Sequence, residues 1–208
     1  RIDEADVLEA YADHVRMLAP VLGRPLKIVV DAGNGMAGLT APAVFGPMHE
    51  RIEMVPLYFE LDGTFPHHEA NPIEPENLRD LESRVVAERA DLGLAFDGDA
   101  DRCFVVDERG EAVSPSTLTA LIAARELAKE PGATVIHNVI TSRAVPEIVT
   151  KLGGHPIRTR VGHSFIKGTM AETDAIFGGE HSGHFYFRDF WRADSGMLAA
   201  LHTLAAAA

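Results

Sequence analysis

The sequence predicts an α/β protein made of two tandem α/β domains. Apolar, strand-like runs alternate with amphipathic helical stretches along all 208 residues, and such alternation builds strand–helix–strand units. The alternation passes through its cycle twice. The divide lies near residues 107–113, placing one domain over residues 1–107 and a second over 108–208. No low-complexity segment interrupts it, and the likeness between the halves is too weak to read as a repeat.

The first half opens on a helix. Asp3 is a candidate cap, and Val7, Leu8, Tyr11, Val15 and Leu18 share one face. Residues 26–30 are a strand running into the glycine-rich strand-to-helix turn Asp31-Ala-Gly33-Asn34-Gly35-Met-Ala-Gly38. That turn lacks both G-x-G-x-x-G spacing and Gly-Lys-Ser/Thr, so it reads as structural rather than nucleotide-binding. A second strand lies near residues 52–59. Gly63, Pro66, Pro72 and Pro75 make residues 62–75 a loop, in which His67 and His68 read as solvated. A helix at about 76–88 leads to an apolar strand ending at Phe96. Residues 103–106 form another strand, in which Cys103 reads as a packing residue rather than a reactive one.

In the second half, Ser114-Pro115 is a cap-plus-first-turn pair for a helix through Leu127, ended by Pro131-Gly132. Residues 134–137 are a strand, 142–152 a helix, and Gly153-Gly154 its stop. A short strand at 156–159 precedes a helix at about 164–172. Residues 176–179 and 184–188 are strands around a loop, with Phe185, Tyr186, Phe187, Phe190 and Trp191 read as packing aromatics. Asp194 is expected to cap a last helix, which runs to residue 208 without a stop signal. Both ends read as cut, so the chain is expected to be a fragment of a longer protein.

Composition narrows the function. Apolar content of 46% supports a real core. A formal charge of −12, from 31 acids against 19 Lys and Arg, argues against a nucleic-acid or anionic-membrane binder. No apolar run has membrane-spanning length, the first residues lack a signal-peptide core, and the single cysteine permits no internal disulfide. A cytoplasmic location is the expectation.

The most informative segment is Asp97-Gly-Asp99-Ala-Asp101-Arg102, directly after the apolar run Leu92-Gly-Leu-Ala-Phe96. In open α/β sheets, ligands bind at the ends of strands. Along an extended chain, alternate side chains face one way, so all three carboxylates converge. Two like charges about 4–5 Å apart repel by roughly 3–4 kcal/mol at an effective dielectric near 20. A divalent ion removes that cost, and oxygen-only ligands point to Mg²⁺, Mn²⁺ or Ca²⁺. Three readings stand: a solvated acidic turn, an EF-hand-type calcium loop, and a metal site for phosphoryl transfer with Arg102 meeting phosphate oxygens. The calcium loop fits Asp97, Asp99, Asp101 and Glu108, but has Arg102 where glycine belongs and strands where helices belong.

Two further segments carry chemistry. Gly178-Gly-Glu180-His181-Ser182-Gly-His184 sets an acid, a hydroxyl and two imidazoles among glycines. Glu180 and Ser182 suit sugar hydroxyls, and His184 suits proton transfer near neutral pH. A polar hairpin turn is the plain reading, and zinc at His181 and His184 lacks a third ligand. Arg158-Thr-Arg160-Val-Gly162-His163-Ser-Phe-Ile-Lys167 is a basic island, with no acid between Glu147 and Glu172. Gly162-His163-Ser164 is expected at a helix N-terminus, a natural anion site, with His163 or Lys167 on a phosphate.

Acidic loop, basic island and the 178–184 segment together resemble the α-D-phosphohexomutase family. Asp97–Arg102 is similar to its metal loop, and Gly179-Glu180-His-Ser182-Gly-His184 to its sugar-specificity loop. Val30–Gly35 resembles the turn opening its second domain. Gly162-His-Ser-Phe-Ile-Lys167 is similar to a third-domain segment near the substrate phosphate, a segment closer to the mannose/glucose branch than to the glucosamine branch. The resemblance implies three-layer-type α/β domains with mixed sheets, corresponding to the second and third of four. The first would carry a phosphoserine and the fourth a phosphate-binding loop; neither motif occurs here. It implies an isomerase that moves a phosphoryl group between O1 and O6 of a hexose, with a hexose 1,6-bisphosphate as activator. It further implies Mg²⁺ on Asp97, Asp99 and Asp101, Arg102 and His184 in catalysis, and Glu180, Ser182, His184, His163 and Lys167 on the phosphosugar. This chain alone is expected to have no turnover. One departure is Ile140, where some members have lysine; Arg143 and Lys167 are the candidates to take its place. Rival readings are a phosphoglucosamine mutase-like enzyme, an aspartyl-nucleophile phosphatase using Asp97, and a calcium- or sugar-binding module.

Overall fold

A computed structural model describes residues 3–208; the start of the expected N-terminal helix at residues 1 and 2 lies outside them. In the first half α1 (Leu8–Leu18), β1 (Leu26–Asp31), α2 (Ala37–Phe45), β2 (Ile52–Leu57), α3 (Arg79–Glu88), β3 (Leu92–Phe96), β4 (Cys103–Asp107) and β5 (Ala112–Val113) follow one another. The second half repeats the order with α4 (Pro115–Lys129), β6 (Thr134–Asn138), α5 (Ala144–Lys151), β7 (His155–Thr159), α6 (His163–Thr173), β8 (Phe177–Gly179), β9 (Phe185–Phe187) and β10 (Ala193–Asp194), and closes on α7 (Gly196–Ala207).

The two sheets have the same topology. The first runs β2-β1-β3-β4-β5 and the second, read from its other edge, β7-β6-β8-β9-β10. In each, three parallel strands continue into two antiparallel ones. The mixed sheets expected by resemblance are therefore present. So is a structural duplication that the sequence did not declare, because backbone topology tolerates substitution that erases residue-level likeness.

Period-two alternation builds three layers. On β1 and β3, Ile28, Val30, Leu92, Leu94 and Phe96 face one core, which α1 and α2 cover. Val29 and Ala95 face the opposite core, with Leu81 and Val85 of α3. Likewise Val135 faces inward, while Ile136 meets Ile166 and Met170 of α6. The inner cores of the halves are one continuous cluster, joined through α4 and α7. Met197–Leu204 of α7 are buried on all sides, as expected for a helix that is apolar all round.

Four local expectations are corrected. The first helix starts at Leu8, whose N–H donates to Asp6 Oδ1 at 3.0 Å, so Asp3 does not cap it. The boundary expected after residue 107 falls inside the first sheet, because Val113 and Ala112 pair with Val105 and Val106. The helix expected from residue 76 begins as a 3₁₀ turn, Pro75–Leu78, and becomes α-helical at Arg79. Asp194 belongs to β10, and Ser195 caps α7 by accepting from the Leu198 N–H at 3.1 Å. The Ser114 cap and Pro115 first turn of α4 are as read.

Candidate functional site

Strand order reverses between β1 and β3, and again between β6 and β8, so each sheet opens a crevice at the carboxyl ends of those strands. The 97–102 loop leaves β3 at the first crevice; the 180–184 loop leaves β8 at the second. They are topologically equivalent hairpin connections, and they touch. Arg102 and His184 form an isolated antiparallel bridge, and the Cys103 N–H donates to Gly183 O at 3.2 Å.

The acidic loop is a turn rather than an extended segment, with Ala100 at φ 64 and its N–H on Asp97 O. The turn, not strand alternation, brings ligand atoms of Asp97, Asp99 and Asp101 within 4.8 Å of one another. Asp97 is buried and receives Arg102 twice, from N at 3.0 Å and from Nε at 2.6 Å. A carboxylate offers about four lone-pair sites, so this leaves room for an ion. Asp101 Oδ1 is buried without a hydrogen-bond partner, with His184 Nε2 at 3.5 Å and the Arg102 Nε at 4.0 Å. Burial and then the neighbouring Asp97 and Asp99 push the Asp101 carboxyl up to about 7. An orphaned oxygen in a three-carboxylate cluster is what a hard divalent cation would satisfy, so the donor set fits Mg²⁺.

The 31–35 turn supports this loop. Met36 N–H donates to Gly98 O at 2.9 Å, and a Cβ on Gly35 would lie 2.7 Å from that oxygen, so glycine is required by close backbone approach. The reading of this turn as structural stands. His67 is exposed as expected, whereas His68 is half-buried, and both bond this turn. His68 Nε2 sits 3.0 Å from buried Asp31 Oδ2, and His67 bonds Asn34 Oδ1 at 2.7 Å while stacking on Tyr58. The Asp31 hydrogen bond holds the His68 imidazolium up to about 9. The same loop supplies Asn71, whose Oδ1 accepts from Arg102 Nη1 at 3.1 Å. Nothing in residue spacing announces these contacts.

On the other side, Glu180 is 1% exposed. Its Oε1 accepts from Asn138 Nδ2 at 3.1 Å and from the Gly162 N–H at 3.3 Å, and its Oε2 from Tyr186 OH at 2.9 Å. Three bonds occupy most of its capacity, so Glu180 organises the site as well as facing it. Ser182 Oγ lies 2.9 Å from His184 Nδ1. His184 meets the His163 ring at 4.3 Å, edge to face. His163, first residue of α6, also contacts Asp194 Oδ2 at 3.2 Å, and Lys167 Nζ reaches Asp194 Oδ1 at 2.9 Å. Burial, then the adjacent His163, holds the His184 imidazole below its ordinary value. Burial pulls the Asp194 carboxyl up, but the Lys167 hydrogen bond and charge, a backbone hydrogen bond and His184 together hold it below its ordinary value.

Thus His163, Lys167, Glu180, Ser182 and His184 come together, beside the three aspartates. Asp194, Tyr186, Asn138 and Asn71 were missed; Asp194 had been read as a helix cap. His181 does not pair with His184 but contacts Ser116 Oγ at 3.1 Å. Arg143 points away, with its side chain 94% exposed beside Glu147, so of the two substitutes for a lysine at Ile140 only Lys167 joins the cluster. Trp191, expected to pack, is 74% exposed at φ 55, with its ring tilted against His14. Cys103 is buried, and burial pushes its thiol up.

Two duplicated α/β units thus meet at an acidic loop and a Glu/Ser/His loop. Comparison with known proteins agrees. Residues 9–110 match the family model of phosphoglucomutase/phosphomannomutase α/β/α domain II, and residues 114–208 match domain III. The chain belongs to the phosphoglucomutase/phosphomannomutase family. It is 41% identical over 204 residues to a phosphomannomutase/phosphoglucomutase of Pseudomonas aeruginosa, covering 98% of this chain and 43% of that protein. It is 40% identical over 202 residues to a phosphomannomutase of Escherichia coli, covering 95% and 44%. A Burkholderia thailandensis family structure superposes with a TM-score of 0.92 at 38% identity, covering 98% of this chain and 44% of that one. The chain therefore spans under half the length of these relatives. Among the described residues, no helix is long and apolar enough to cross a membrane.

Proposed function

We propose that this chain is the metal- and sugar-handling part of a phosphohexomutase that interconverts hexose 1-phosphate and hexose 6-phosphate. The observation that carries the reading is the contact of the two equivalent loops through Arg102 and His184, which joins a three-carboxylate cluster to a Glu/Ser/His cluster. Phosphoryl transfer needs positioning and compensation of charge more than covalent chemistry. Asp97, Asp99 and Asp101 would hold Mg²⁺, which when bound neutralises charge on the transferring group. Arg102, fixed by Asp97 and Asn71, supplies a second positive charge. Glu180 and Ser182 orient sugar hydroxyls. His163 and Lys167 meet the non-reacting phosphate. His184 accepts the proton of the attacking hydroxyl.

In the cycle, a phosphoserine from a domain outside this chain gives its phosphoryl to the sugar, leaving free serine and a bisphosphorylated sugar. The sugar turns, and its other phosphoryl returns to the serine. The phosphatase rival would use Asp97 as nucleophile, and a covalent intermediate at Asp97 trapped with a phosphate mimic would support it instead.

The test is an assay of the longer parent enzyme with Mg²⁺ and a trace of hexose 1,6-bisphosphate. Mannose, glucose, glucosamine and N-acetylglucosamine phosphates are compared by kcat/KM. Turnover is expected on the mannose and glucose phosphates. Preference for the glucosamine phosphates would move the assignment to that branch, and no turnover on any would overturn it. The chain by itself is expected to be inactive.

A further inference from the structure

We propose that His163, His184 and Asp194 form a second cation site, taking a borderline transition-metal ion such as Zn²⁺ or Co²⁺ in preference to Mg²⁺. The three residues come from the first turn of α6, the end of the 180–184 loop and β10, and their ligand atoms lie within 4.8 Å of one another. Two imidazole nitrogens and one carboxylate oxygen are a donor set for zinc-like ions, in contrast to the all-oxygen cluster of Asp97, Asp99 and Asp101.

The local geometry suits an ion. His163 Nδ1 and Asp194 Oδ2 are 3.2 Å apart, a separation two ligands of one ion can share. Lys167 occupies the other oxygen of Asp194, at 2.9 Å, so an ion would take Oδ2 and His163 Nδ1 in place of the bond between them and of the 3.1 Å contact from Tyr186 OH to that nitrogen. Ser182 Oγ holds Nδ1 of His184 and fixes the ring, the role an outer partner plays for a metal-bound imidazole. Charge points the same way. Asp101 lies 3.5 Å from His184 Nε2 and Glu180 lies 3.8 Å from Nδ1. With Asp194 these make three carboxylates around the imidazole pair, opposed by Lys167, while Arg102 is engaged by Asp97. The His163 side chain is 50% exposed, which gives an ion a way in. Because the same imidazoles are assigned to the phosphosugar, ion and substrate exclude one another; that consequence alone rests on the mutase reading.

The experiment titrates Co²⁺ and Zn²⁺ into this chain carrying Asp99→Asn in an excess of Mg²⁺, which silences the oxygen cluster and keeps Asp97 on Arg102. One equivalent of Co²⁺ is expected to bind with the visible absorption of nitrogen-ligated cobalt. Adding His163→Ala or Asp194→Asn weakens binding by about tenfold or more, since losing a direct ligand costs at least what losing an outer partner does. His181→Ala, a nearby imidazole outside the cluster, leaves binding unchanged. Circular dichroism checks that each variant is folded, and His163→Gln serves if His163→Ala is not. Binding that survives loss of His163 and Asp194, that falls equally with His181→Ala, or that is absent once the oxygen cluster is silenced overturns the proposal.

Discussion

The backbones of Arg102 and His184 pair with each other, although the strands that follow them belong to different sheets. The pairing follows from the duplication: each residue ends the hairpin loop that follows the third strand of its unit, and the continuous core between the units turns those loops toward each other. Gly183 makes the approach possible. It sits at φ +90, and a Cβ there would lie 2.5 Å from the buried Phe104 ring of the first sheet. Gly183→Ala is expected to cost about 2 kcal/mol, from left-handed backbone strain and overpacking together, read by denaturant unfolding. A change under about 0.5 kcal/mol would mean that the loops do not constrain each other in solution.

If Asp97, Asp99 and Asp101 hold Mg²⁺ as proposed, Asp101 links metal binding to pH. Its folded carboxyl is raised from 3.8 to about 7, by burial first and then by Asp97 and Asp99. Between those values the metal-free native state holds more protons than the unfolded state, so its stability falls as pH rises through the window. Mg²⁺ competes with that proton. Its affinity should climb with pH and level off above about 7, and the Mg²⁺-induced rise in Tm should be larger at pH 8 than at pH 5. Equal shifts at both pH values would count against the three-aspartate site.

His68 acts in a different window. Its hydrogen bond to Asp31 raises it from 6.5 to about 9, so the stability it contributes is complete below pH 6.5 and is lost as pH rises through 9. His68→Gln should flatten the stability profile between those values while leaving the acid side unchanged. A slope that persists in the variant would assign it to another group.

Asn71 tests the role of Arg102. It binds the outer end of the guanidinium, whose inner end is held by Asp97. A hydrogen bond to a charged group contributes about 1.5–3 kcal/mol, so Asn71→Ala should lower kcat of the parent enzyme by about tenfold or more. Tm should fall because the same bond is lost from the folded state, KM should move little, and Asn71→Asp should restore part of the rate. A loss confined to Tm would reduce Asn71 to a loop anchor.

Much of this architecture was written locally. Ser114-Pro115 starts α4 because a hydroxyl and a ring that needs no N–H partner solve the same end problem. The apolar run before Asp97 becomes β3, buried at every residue, because both faces of a central strand are covered. The motifs at 97–102 and 180–184 could be recognised because glycines and acids at short spacing form compact loops whatever surrounds them.

What residue order alone determined was the alternation of elements, the 97–102 and 178–184 motifs and the basic island at 158–167, which only a family resemblance joined into one site. Only the tertiary structure decided that the sheets are duplicates, that Asp194 leaves the helix it was expected to cap and joins His163 and Lys167, and that His68 and Asn71 fasten a proline-rich loop to the acidic one. The physical reason is range. Caps, turns and strand alternation are set by neighbours a few residues apart, whereas His68 meets Asp31 and Asn71 meets Arg102 only because crossover connections return distant segments to one edge of a sheet.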